Sequence, residues 1–78
     1  MSSAVLPYAL GYNDFEMRMD VGTRTDGQPV WQAFAAPFTP TSQKNWTLYR
    51  FQYTAGNMVL RSVKFKVAYD DRATELPE

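Results

Sequence analysis

Cysteine and histidine are both missing from this 78-residue chain. Without cysteine no disulfide can brace the fold, and without either residue no ordinary zinc, haem or copper site can be built. The same absences remove the commonest general base and the strongest nucleophile, which turns the reading away from catalysis. Glycine is sparse and scattered, with no phosphate-cradling loop. Long apolar runs are absent too: nothing approaches the ~18 consecutive apolar residues of a membrane span. The opening Met1-Ser2-Ser3-Ala4-Val5-Leu6-Pro7 lacks the charged and apolar regions of a secretory signal. The expectation is a cytoplasmic protein, or a virion component made in the cytoplasm, with no membrane association and no metal or other cofactor.

Net charge is also lacking, at +0 formally, but the charges are unevenly placed. Residues 14–26 carry Asp14, Glu16, Asp20 and Asp26 against Arg18 and Arg24. Residues 44–66 carry Lys44, Arg50, Arg61, Lys64 and Lys66 and no acid, and acid returns with Asp70, Asp71, Glu75 and Glu78. Any attraction to nucleic acid must therefore come from that one basic block.

What the chain does have is aromatic side chains: five Phe, five Tyr and two Trp. Each can bury ~150–250 Å². A chain this short buries only about 60% of the surface it exposes when unfolded. Domains below roughly 80 residues usually add a disulfide, a metal or a partner subunit. With the first two ruled out, a dimer or larger assembly is expected.

Period-two alternation dominates the pattern. Phe15, Met17, Met19 and Val21 alternate with Asp14, Glu16, Arg18 and Asp20, which on a strand puts apolar groups on one face and charges on the other. Asp26-Gly27 is a strong two-residue hairpin signal. A hairpin closed there sets Met19 opposite Phe34, Met17 opposite Ala36 and Phe15 opposite Phe38, with Trp31 outward beside Gly22. Residues 37–45 read as a loop rich in turn formers. Trp46 to Tyr53 is a second β-rich stretch, with Thr47, Tyr49, Phe51 and Tyr53 on one face and Trp46, Leu48, Arg50 and Gln52 on the other. A three-residue connection at Ala55-Gly56-Asn57 leads to a last strand ending near Tyr69, with Val63, Phe65, Val67 and Tyr69 inward. In that register Arg61 falls among apolar residues, which points to a bulge near residues 60–62 or an arginine stacked on aromatics.

The expected fold is all-β: a small antiparallel four-stranded meander of two hairpins. It would be curled into an open barrel or packed sheet-on-sheet in an oligomer. Residues 1–13 form an N-terminal arm that could lid the sheet, 14–69 the single β domain, and 70–78 a flexible acidic C-terminal tail.

Three candidate sites follow. Asp14, Glu16 and Asp20 alternate on one strand face, where i,i+2 neighbours lie ~6.5–7 Å apart, the spacing of inverting glycosidase carboxylates, but a solvated face with Arg18 between acids accounts for them as well. Lys44, Trp46, Arg50, Lys64 and Lys66 gather a ring and cations on the outer face of the second hairpin, the chemistry of a single-strand nucleic-acid platform. Solvent-facing lysines that discourage edge pairing account for the same set. Tyr8, Tyr12, Trp31, Phe38 and Trp46 are the candidate protein-interface anchors, since Trp and Tyr favour such positions. Asn45-Trp46-Thr47 fits the glycosylation pattern, a chance match without a secretory signal. No stretch carries a nameable family motif. The functional expectation is a non-enzymatic interaction or assembly module that binds itself or another protein, such as a viral or bacterial structural or accessory factor. The alternative is a single-stranded nucleic-acid binder.

Overall fold

The computed structural model describes residues 15–78, and the arm candidates Tyr8 and Tyr12 and the acid Asp14 lie outside them. Four antiparallel strands follow one another in space as in sequence: β1 (Glu16–Asp20), β2 (Trp31–Ala35), β3 (Trp46–Thr54) and β4 (Asn57–Val67). They make one open sheet with β1 and β4 as its edges. A 3-10 turn over Tyr69–Asp71 and a single helical turn, α1 (Arg72–Glu75), follow β4.

The first hairpin is longer than its Asp26-Gly27 signal implied. Pairing stops at Asp20 opposite Trp31, and residues 21–30 form the connection. A type I′ turn needs positive φ at both central residues. Here Gly27 has φ 80 but Asp26 does not share that region. The Asp26 carboxylate instead accepts the Gln28 N–H at 3.1 Å and the Arg24 guanidinium at 3.0 Å. Met17 therefore faces Phe34, and Met19 faces Gln32. This is a two-residue slip from the expected register, and because side chains alternate with period two, every residue keeps its face.

The second hairpin turns on two residues rather than three. Ala55 and Gly56 both have positive φ, 52 and 83, and Thr54 pairs with Asn57. A bulge then absorbs Arg61: Phe51 faces Leu60 while Arg50 faces Ser62, which restores the expected pairing of Tyr49 with Val63. A second irregularity near Lys66, whose φ is 57, brings Trp46 opposite Val67.

Alternation sorted β1, β2 and β3 between faces correctly, but the irregularity near Lys66 carries Val67 off the face of Val63 and Phe65, and the enclosed face is the one expected outside. Trp31, Ala33, Ala35, Trp46, Leu48 and Val67 form the core with Val30 and Tyr69, and Leu76 packs against them. Two indoles decide the matter. Each Trp buries ~150–250 Å², a gross gain of roughly 4–6 kcal/mol at ~25 cal/mol per Å². Both indole N–H groups also find carbonyls: Trp31 Nε1 donates to Leu76 O at 2.8 Å and Trp46 Nε1 to Pro40 O at 2.9 Å.

The cover over this face comes from residues 69–78, of which 70–78 were expected as a flexible tail. Asp70 N–H donates to Thr41 O at 3.0 Å, and Tyr69 tilts against Trp46 with ring centroids 5.8 Å apart. Its charges complement the sheet: Arg72 Nε meets Asp20 Oδ2 at 2.6 Å, and Lys64 Nζ meets Glu75 Oε1 at 2.8 Å. Of the acids that suggested a solvated tail, Glu75 pairs with Lys64 of the basic block and Glu78 is held by the Thr23 N–H. Among the described residues no helix is long and apolar enough to cross a membrane.

Candidate interface on the open sheet face

Enclosing the Trp face leaves the opposite face of the same sheet bare. Phe15, Met17, Met19 and Val21 stand exposed along β1 and its flanks, and Met58, Leu60, Val63 and Phe65 along β4. Between them lie the half-buried Phe34, Tyr49, Phe51 and Tyr53, with Phe34 edge-on to Tyr49 at 5.8 Å. The cross-strand partners on this face, from Met17–Phe34 through Gln32–Tyr49 to Tyr49–Val63 and Phe51–Leu60, include no charged side chain. All of these but Met58 and Leu60 were expected to face an interior. The described residues supply no second layer over them.

The named interface anchors divide accordingly. Trp31 and Trp46 are core, at 3% and 0% exposed, which corrects their reading as outward-facing rings. Phe38 does stand out, 93% exposed, at positive φ in the loop after β2. Its N–H donates to Glu16 Oε2 at 3.2 Å.

The aromatic-basic set is not assembled as a platform. Trp46 is enclosed, so no base can reach its ring, and Arg50 is buried beside it on β3. Lys64 is engaged by Glu75, leaving Lys44 and Lys66 exposed without a ring between them. The cations sit where the sequence put them, but the indole points inward because the C-terminal turn covers it.

The described acids are likewise engaged in structural contacts. Glu16 pairs with Arg18 at 3.1 Å. Asp20 accepts the Gly22 N–H at 2.9 Å as well as the Arg72 guanidinium. That N–H, and after it the Arg72 contact, hold the Asp20 carboxyl below its ordinary value against the opposing effect of burial. A carboxylate so held is a poor proton donor near neutrality. Among the described residues no group of three or more carboxylates could hold a metal ion.

One signal in the sequence could have revealed which face is enclosed. Ala33 and Ala35 share a face with Trp31, and they sit beside Leu48 and Trp46 in the β2–β3 register. Small residues between bulky ones let a covering segment approach closely, whereas the other face offers no such recess. Comparison with protein-family models, curated proteins and solved structures finds no match to this chain.

Proposed function

We propose that this chain is a non-catalytic assembly module that associates with a second copy of itself through the open face of its sheet. The observation that supports this reading is the uncharged row of apolar side chains from Phe15 on one edge to Phe65 on the other. Folded monomers rarely expose a contiguous apolar patch beyond a few hundred Å².

The dimensions suit a dimer. Strands of 5, 5, 9 and 11 residues, spaced ~4.8 Å apart and rising ~3.3 Å per residue, give a projected area of roughly 500 Å². Side-chain relief carries the accessible area above that figure, toward the ~800 Å² per partner of a standard stable interface. The cross-strand partners of this face carry no charge, and the Arg24 guanidinium 3.6 Å over the Tyr53 ring at one end is already paired with Asp26, so an identical copy related by a two-fold axis is a sufficient partner. Sheets pack this way about 10 Å apart, their inner side chains interdigitating.

Sedimentation velocity on the full chain, from micromolar to near-millimolar concentration, tests the proposal. A dimer is expected for the native sequence and a monomer for the Met19→Lys, Val63→Lys double variant, with circular dichroism unchanged. A native chain that stays monomeric throughout that range overturns the reading.

A further inference from the structure

Arg50 is the one charged residue in the buried set, 7% exposed. A guanidinium carries five N–H donors and cannot shed its charge, so burial leaves it seeking acceptors. Its Nε donates to Pro77 O at 3.2 Å. Among the described residues no carboxylate reaches it within ion-pair distance, and no acceptor meets Nη1 or Nη2. Three of the more exposed arginines are paired, Arg18 with Glu16, Arg24 with Asp26 and Arg72 with Asp20, while Arg61 stands in solvent. The most enclosed guanidinium is thus left without a counter-ion, the reverse of what desolvation favours.

Arg50 borders an open cleft of about 220 Å³ between the β1–β2 connection and β3. Thr23 and Arg24 line one side, and Val30, Phe51 and Tyr53 supply apolar wall. Glu78 also reaches the cleft, but its carboxylate is engaged by the Thr23 N–H at 2.8 Å and by the Thr23 hydroxyl. Burial, and after it the charge of Arg61, push the Arg50 guanidinium below its ordinary value. An anion in the cleft relieves both effects.

We propose that this cleft binds a small monocarboxylate, its two oxygens forked on the Nη atoms of Arg50 and its alkyl part against Val30 and Phe51. The planar guanidinium matches a carboxylate in two parallel hydrogen bonds. At ~30 Å³ per water the space equals about seven waters, which limits the ligand to a short-chain acid. The neighbouring Glu78 carboxylate opposes a dianion, so a singly charged acid is favoured over phosphate.

Butyrate titrated into the full chain, followed by the arginine Nε–H and Thr23 amide signals in NMR, tests this, with chloride and phosphate as comparison salts at matched ionic strength. A saturable shift at Arg50 and Thr23 with butyrate alone is expected. Arg50→Gln should weaken butyrate at least about tenfold, the loss of one charged hydrogen-bonding partner. Gln52→Trp, which fills the cleft mouth from an exposed position and leaves Arg50 in place, should abolish the saturable shift. Shifts that run linearly and equally with chloride overturn the site. Butyrate shifts that persist in Gln52→Trp overturn its location, and tighter binding of phosphate overturns the assigned chemistry.

Discussion

Asp20 shows how one side chain can join three parts of the fold. Its backbone ends β1, its Oδ1 accepts the Gly22 N–H at the start of the connection, and its Oδ2 holds Arg72 at the other end of the sequence. Both side-chain contacts, the Gly22 N–H first and then Arg72, favour the charged carboxylate and outweigh burial, so its folded-state pKa lies below the ordinary 3.8. A depressed pKa contributes stability that is fully present above the unfolded value and is lost as pH falls through the folded one. The native chain is therefore expected to lose melting temperature steeply below about pH 4. Asp20→Asn keeps an acceptor for Gly22 and removes the ion pair, so its melting temperature should start lower near neutrality and decline less with acid. Thermal melts from neutral pH down to the acid limit check this. Parallel losses in the two proteins would assign the acid sensitivity to other groups. Gly22 belongs to the same junction: its φ of 56 strains any L side chain, and a Cβ there would displace the Glu78 carboxylate, 2.8 Å away.

At the level of elements, the two turns show what a dipeptide can and cannot specify. Asp26-Gly27 carries the stronger turn composition, yet it lies inside a longer connection because its carboxylate caps Gln28 and pairs with Arg24. Ala55-Gly56 carries the weaker composition and makes the tight turn, with Ala55 at φ 52. A residue with a Cβ pays roughly 1 kcal/mol or more in that region, while Asn tolerates it by local hydrogen bonding. Ala55→Asn is therefore expected to stabilise the chain by about 0.5–1 kcal/mol, read as a raised urea midpoint at unchanged slope. A lowered midpoint would show that Ala55 makes a contact its exposure does not suggest. Strand identity and meander order were legible from period-two alternation, which also narrowed Arg61 to a bulge or a stacked arginine, because alternation depends only on backbone geometry. The enclosed face was not legible from alternation alone, since both faces carry enough apolar bulk to be a core. β1 misled most: Glu16, Arg18 and Asp20 mark a wet face when read alone. On an edge strand beside the C-terminal turn they instead frame the enclosed side, with Asp20 held by Arg72 and the Arg18 guanidinium 5.9 Å from the Trp46 ring. The candidate site suffered the same inversion. Trp31 and Trp46 were sought as anchors, while Phe15, Met17, Met19 and Val63, assigned to the interior, are the exposed ones.

For the whole molecule, one enclosed face means that folding and association are coupled. The enclosed core is a single layer of side chains between the sheet and residues 69–78, thin even for a domain of this size. If a second copy covers the open face, unfolding releases two chains, and stability rises with the logarithm of concentration. A hundredfold dilution then removes about 2.7 kcal/mol per dimer. Shared between two chains, at ~4–8 °C per kcal/mol for a domain this small, that lowers the melting temperature by roughly 5–10 °C. The Met19→Lys, Val63→Lys chain should melt at one temperature whatever its concentration. Both positions are exposed in the single chain, so each change alone alters monomer stability by only about 0.5 kcal/mol or less. The two proteins should therefore nearly coincide when dilute and separate as concentration rises. Calorimetry or circular dichroism at the two ends of the range measures that divergence. A constant offset at every concentration would mean that Met19 and Val63 support the fold of one chain. Superimposable, concentration-independent melts would leave the open face without a partner of its own kind.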